Sequence, residues 1–204
     1  MHSSMIDKKH KYIFIQIPKT ASDSIMHFFL SMHNIKEINQ SLYPEFFCDL
    51  SHHSKISEIA TKLNTDDFFK FTFVRNPFDR AVSEYLYCKK HNGCYLQSAD
   101  LFNQIFKDFN GFVKNGGFRL ACWPYHEDSQ FSFIEGYNIN YIGRFEKLQE
   151  HFSILCNKLK ISNSKLSHEN KASRNRYQDY YNQESIDIIS KKYKKDIEYF
   201  GYDF

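Results

Sequence analysis

Between residues 16 and 24 the chain reads Gln16-Ile17-Pro18-Lys19-Thr20-Ala21-Ser22-Asp23-Ser24. An apolar run at residues 12–17 precedes this segment, and Ile25, Phe28, Phe29 and Met32 follow it at helical spacing. It therefore stands where a buried strand turns into a helix. A helix start offers unpaired backbone N–H groups and the positive end of a dipole, which together bind anions. Lys19 adds a point charge, and Thr20, Ser22 and Ser24 add hydroxyls. Such a set can cradle a phosphate-type group. The loop has no glycine and no G-x-x-x-x-G-K-[ST] pattern, which disfavours ATP and GTP. The plainer alternative is an ordinary capped helix with a surface lysine.

A second segment of the same kind runs Phe73-Val74-Arg75-Asn76-Pro77-Phe78-Asp79-Arg80-Ala81-Val82-Ser83-Glu84-Tyr85. Arg75 falls at the C-terminal end of the strand expected at residues 68–74, where open α/β sheets bind ligands. Ser83 follows about two helical turns later. A guanidinium fork and a hydroxyl so spaced can share one phosphate. Asp79 and Arg80 read as a local ion pair. For Arg75 alone, a structural salt bridge is the competing reading.

The elements that must position these residues follow from the hydrophobic pattern. Strands are expected at 12–17, 68–74 and 140–142. Helices are expected at 21–33, 56–63, from Pro77 onward, at 101–114, 146–159 and 184–200. Residues 34–54 read as loop with room for a short strand, 118–138 as irregular, and 162–180 as a polar loop over a site. Residues 1–10 read as a flexible, frayed terminus and 11–204 as one domain. Strands alternating with helices predict an α/β fold, with a central parallel sheet flanked by helices.

Composition narrows the function. Hydrophobic residues make up 42% of the 204 and charged residues 25%, which excludes a disordered chain or a fibre. Aromatics reach 18%, so a short chain can still build a solid core. A net charge of +3 does not call for nucleic acid. No apolar run is long enough to span a membrane. Cys48, Cys88, Cys94, Cys122 and Cys156 are odd in number and scattered, which suggests a reducing, cytoplasmic compartment. These cysteines and the ten histidines show no ligand spacing such as C-x-x-C or H-E-x-x-H, so no metal is expected.

Taken together, strand-PKTxSxS-helix followed by strand-VRNPFDRxVSxY-helix resembles the sulfotransferase superfamily. Within it, the pattern is most similar to the carbohydrate branch that includes heparan sulfate 2-O-sulfotransferase and bacterial relatives. The resemblance implies a P-loop-NTPase-like fold and the donor 3′-phosphoadenylyl sulfate (PAPS). It assigns Pro18, Lys19, Thr20, Ala21, Ser22, Asp23 and Ser24 to the 5′-phosphosulfate, and Arg75 and Ser83 to the 3′-phosphate. Asp23 departs from the family's usual Thr or Ser; it is expected to point outward and cap the helix with Thr20 as N-cap. His53-Ser54-Lys55-Ile56-Ser57-Glu58-Ile59 is similar to an H-x-T-A-x-E-I stretch of bacterial relatives, with Lys55-Ile56 in place of Thr-Ala. Residues 141–148 resemble I-G-R-F-E-N-L. Asn170-Lys171-Ala172-Ser173, followed by residues 177–181, looks like the loop that closes over the nucleotide. The ending at residues 196–204 matches the family's usual C-terminus.

The reaction so implied is in-line sulfuryl transfer to an acceptor hydroxyl, with Lys19 at the leaving oxygen and a histidine as base. His53 is the base that the resemblance assigns, and His52 its neighbour if the register slips. Trp123, His126 and Gln130, in the irregular stretch, are the expected acceptor contacts, and the acceptor is expected to be a glycan. The oligomeric state stays open. Two other functions remain: a PAPS- or PAP-binding protein without catalysis, and an atypical P-loop kinase.

Overall fold

The structure is a computed structural model that describes residues 3–35, 46–51, 53–91, 94–166 and 175–204. In chain order its elements begin with β1 (Ser3–Asp7), β2 (Tyr12–Ile15), α1 (Ser22–Met32), β3 (Phe47–Ser51), α2 (Ile56–Ala60) and β4 (Phe69–Val74). Then come α3 (Pro77–Lys90), α4 (Ala99–Phe106), α5 (Phe109–Lys114) and α6 (Gly117–Ala121). The chain closes with β5 (Tyr141–Arg144), α7 (Leu148–Lys158), α8 (Gln183–Lys192) and α9 (Lys194–Phe200). It falls into two compact units, Met1–Val74 with Ser132–Lys171, and Arg75–Phe131 with Ala172–Phe204.

The first unit is built on one sheet in the order β3-β1-β2-β4-β5. The three expected strands, β2, β4 and β5, are there and run parallel. Along β2 and β4 the side chains alternate between faces. Tyr12, Phe14, Phe71 and Phe73 share a core with Phe28 and Phe29 of α1 and with Phe152 and Leu155 of α7. Phe14 stacks on Phe71 at 5.0 Å between ring centroids, and Phe28 meets Phe152 edge-on at 4.8 Å. Such aromatic pairs contribute about 0.5–1.5 kcal/mol beyond their buried area.

Residues 3–7, expected to be frayed, form a strand instead. Met5 and Ile6 are fully buried, and β1 runs antiparallel to both β2 and β3. Its end is anchored by Asp7, which is also fully buried. Asp7 accepts from the His10 N–H at 2.7 Å, and its Oδ2 lies 2.7 Å from His10 Nδ1 and 3.1 Å from His33 Nε2. The sequence offers little sign of this anchor, because His33 stands at the far end of α1.

The second unit holds a core of rings. Tyr85 of α3 lies 5.9, 5.6 and 5.4 Å from Phe102, Phe109 and Phe112. The expected helix at 101–114 is broken into α4 and α5 at Lys107, whose φ is 56°. The break has a packing cause. Phe102 and Phe112 are 5.9 Å apart, whereas ten residues of straight helix span about 15 Å. Asp108 then caps α5 through the Gly111 N–H at 2.8 Å. The irregular stretch contains α6, and the last expected helix divides at Tyr193 into α8 and α9. Among the described residues no helix is long and apolar enough to cross a membrane.

Two outcomes test this packing. Gly143 faces Phe73 across the β4–β5 pair, and a Cβ there would fall 2.3 Å from the ring. Gly143→Ala is expected to lower stability by about 1–3 kcal/mol in urea unfolding, as an overpacked core does. Burial pulls the His33 imidazole below its ordinary value of 6.5, against the opposing pull of Asp7. As pH falls below 6.5 the unfolded chain takes up a proton there that the folded chain resists, so stability drops. Unfolding of the parent and of His33→Gln on either side of pH 6.5 should give the shallower pH slope for the variant.

Candidate active site

The loop between β2 and α1 is bent by two residues in the left-handed region, Lys19 at φ 66° and Ala21 at φ 69°. Neither is glycine, so each holds roughly 1–3 kcal/mol of backbone strain. Thr20 between them is fully buried, and its hydroxyl donates to the Ile17 carbonyl at 2.9 Å, closing the turn. This corrects the expected capping box. Thr20 is spent on the loop, the N-cap is Ala21, and no side chain caps α1. Asp23 is exposed, as expected, but caps nothing. It still complements the helix dipole in the first turn. Ser22 and Ser24 are buried on either side of it, at 5% and 6% exposure.

His53 belongs to the same unit and is buried. Its Nδ1 lies 2.7 Å from the carbonyl oxygen of Gln16, the residue that opens the loop. A carbonyl only accepts, so Nδ1 carries the proton, and a neutral ring presents the lone pair of Nε2. The His53 N–H donates to Ser51 Oγ at the end of β3, at 3.3 Å. Glu58 Oε2 accepts from the Lys55 N–H at 2.7 Å and so steadies the start of α2, just beyond the histidine. The Gln16 side-chain amide is fully buried, and neither of its polar atoms has a hydrogen-bond partner; the same holds for the Ser54 hydroxyl. Each such group costs about 1–3 kcal/mol. They flank His53 in sequence and in its carbonyl bond, and sequence reasoning gave neither a role. The signal was Gln16, a polar residue in an otherwise apolar strand end.

In the second unit Arg75 is held by its backbone. Gln130 accepts from the Arg75 N–H at 2.9 Å through Oε1, and donates through Nε2 to the Arg75 carbonyl at 2.8 Å. Asp196 Oδ2 accepts from the Gln130 N–H and Oδ1 from the Phe131 N–H, each at 2.8 Å. Burial pushes the Asp196 carboxyl up, while Arg80 and those N–H groups hold it down. The Arg75 Nε donates to Asp79 Oδ2 at 2.7 Å, so the ion pair joins Asp79 to Arg75. The expected Asp79–Arg80 pair does not form. Arg80 instead donates to the carbonyls of His126 and Asp128, both at 2.9 Å. Asn76 caps α3 through the Phe78 N–H at 2.9 Å. Ser83, half-buried, lies two turns along α3.

The expected acceptor contacts divide. Gln130 is fully buried and its amide is taken up at both ends by Arg75, so it positions the arginine rather than lining an open wall. The His126 Nδ1 stands 2.9 Å from both oxygens of buried Glu84. Trp123 is 41% exposed. Residues 18–24 and His53 thus fall in one unit, and Arg75, Ser83 and Gln130 in the other. His52, Lys171, Ala172 and Ser173 lie outside the described residues.

The Arg75 clamp is testable. Gln130→Ala leaves a buried N–H and C=O unpaired and is expected to cost about 2–4 kcal/mol. Gln130→Glu sets a buried carboxylate oxygen against the Arg75 carbonyl and should cost at least as much. Urea unfolding of the two variants beside the parent measures both.

The profile of the sulfotransferase family matches residues 2–203. No curated protein and no solved structure matches the chain. The matched span takes in the loop after β2, the histidine on Gln16 and the arginine after β4, and the chain belongs to the sulfotransferase family.

Proposed function

We propose that the protein moves a sulfuryl group from PAPS to a hydroxyl of a carbohydrate acceptor, with His53 as the general base. The observation that carries this reading is the 2.7 Å contact between His53 Nδ1 and the Gln16 carbonyl. It fixes the tautomer whose Nε2 can take a proton, and it does so at the head of the loop that family resemblance assigns to the donor.

The residues present fit the donor. The loop offers a lysine, two buried serines and a helix N-terminus without a side-chain cap, while the carboxylate of Asp23 is turned to solvent. That donor set suits a dianion. PAPS would supply an activated sulfuryl group and a phosphate that leaves with negative charge. Lys19 neutralises charge at the leaving oxygen, and the serine hydroxyls and first-turn N–H groups orient the group. His53 Nε2 removes the acceptor's proton as the hydroxyl attacks, and the imidazolium so formed is stabilised by its Nδ1–H bond to Gln16. Arg75 and Ser83 are assigned to the 3′-phosphate. Asp79, on the Nε edge of Arg75, fixes the plane of the guanidinium. Trp123, large and exposed, suits stacking on a sugar ring. Among the described residues no cysteine forms a disulfide, which suits the reducing, cytoplasmic setting we propose.

Isothermal titration calorimetry with PAP, ATP and ADP tests the donor. PAP is expected to bind, with affinity lost when the 3′-phosphate is removed and weakened in Arg75→Ala. A folded sample that ignores PAP would overturn the donor assignment, and magnesium-dependent turnover of ATP would reopen the kinase reading. With labelled PAPS and a glycan panel, His53→Ala should lower kcat by about 10²–10⁴-fold while leaving PAP affinity unchanged. Full turnover by that variant would remove His53 from the mechanism. Lys19→Ala should lower kcat as well as PAP affinity.

A further inference from the structure

Three thiols and a carboxylate converge inside the second unit, and the reaction proposed above uses none of them. Glu84 and Cys88 stand one turn apart on α3, Cys94 opens the 3₁₀ turn Cys94–Leu96, and Cys122 follows the end of α6. All four are buried, with Cys88 at 0% exposure, Glu84 at 2%, and Cys94 and Cys122 at 4%. The Cys88 Sγ lies 3.4 Å from the Cys122 Sγ, 3.5 Å from the Cys94 Sγ and 3.6 Å from Glu84 Oε1. The ligand atoms of Glu84, Cys88 and Cys122 all fall within 4.8 Å of one another.

Buried cysteines are common as small apolar groups, but a cluster around a buried carboxylate is a different matter. The Glu84 carboxylate is faced by His126 on one side, and the thiols, weak donors, stand around it on the other. The Cys88–Cys122 spacing of 3.4 Å is nearer to coordination than to a disulfide. Sulfurs bound to one tetrahedral zinc at about 2.3 Å stand roughly 3.8 Å apart, whereas a disulfide requires about 2.05 Å. The outer layer is present too, because His126 Nδ1 lies 2.9 Å from each oxygen of Glu84. A hydrogen bond of that kind fixes the orientation of a ligating carboxylate.

We propose that Glu84, Cys88 and Cys122 form a structural site for a soft divalent cation of the zinc class, with Cys94, 3.5 Å from Cys88, swinging in as the fourth ligand on loading. Thiolate-rich sets select zinc over magnesium or calcium, and four protein ligands leave no open position for chemistry. On loading, each ligating thiol releases its proton to solvent and its sulfur bonds to the metal, with no change of oxidation state. The cation ties α3 to the end of α6 and to the turn at Cys94. The ligand spacing, E-x3-C-x5-C with a distant fourth member, matches no familiar metal-binding motif, which is why the sequence raised no metal.

The test uses the full-length protein. Metal content is measured by inductively coupled plasma mass spectrometry, and Co²⁺ is titrated into chelator-treated protein whose fold is checked by circular dichroism. A single equivalent of Co²⁺ is expected, with a thiolate-to-cobalt charge-transfer band that Zn²⁺ abolishes. Cys122→Ser should lose the band, and Cys156→Ser, in the other unit, should keep it. His126→Gln should weaken Co²⁺ binding by about 10–100-fold. If Cys122→Ser does not fold, the parent decides alone, since its cysteines must react with Ellman's reagent more slowly when loaded. Folded protein that gives no thiolate band, or peptide mapping that finds Cys88 joined to Cys122 or Cys94 as a disulfide, overturns the proposal. PAP affinity, read separately, reports on the transferase site and not on this one.

Discussion

Where β4 runs out at Val74, the next peptide has no strand to pair with, and a buried peptide group must pair with something. Gln130 provides the answer by presenting its side-chain amide to the Arg75 N–H and C=O as a neighbouring strand would. That solution propagates. Gln130 is itself held through its backbone by Asp196, a fully buried carboxylate. A carboxylate so placed needs compensation, which Arg80 supplies in part. Arg80 in turn fixes the carbonyls of His126 and Asp128, the segment that leads to Gln130. The circuit closes on itself, so the arginine after β4 is set by residues 121 positions away in the chain.

The same economy governs the loop after β2. Lys19 and Ala21 adopt backbone angles that glycine would take without strain. A glycine at either place would leave the loop free to wander in the unfolded chain and in the folded one. Thr20, fully buried and bonded to Ile17, locks the turn from inside. The bend between β2 and α1 is thereby set during folding.

What could be read from the sequence was local. The apolar runs of β2, β4 and β5, the helical spacing after Lys19 and after Pro77, and the residues of the two loops all lie within short windows. The α/β class could be read for that reason, and Lys19 and Arg75 fall just after β2 and β4, where the pattern put them. What could not be read depends on partners far apart. Strand β1 looks polar until Met5 and Ile6 find β2 and β3. The break at Lys107 answers to ring contacts between Phe102 and Phe112. Asp79 turns to Arg75 instead of Arg80 because two carbonyls 46 and 48 residues on claim Arg80. The convergence of Cys88 with Cys122, across 34 residues, is of the same kind.

The place of β1 in the sheet reaches further than its five residues. In the order β3-β1-β2-β4-β5 it is the described link between β3 and the rest. Strand β3 ends at Ser51, whose hydroxyl receives the His53 N–H. Strand β1, Ser3–Asp7, is thus a splint for a histidine more than forty positions downstream. A change that unseats β1, by trimming, tagging or fusion, is then not neutral for the surroundings of His53. Nor is the sheet complete in the order of synthesis, because the hairpin of β1 and β2 emerges early and must wait for β3 to arrive.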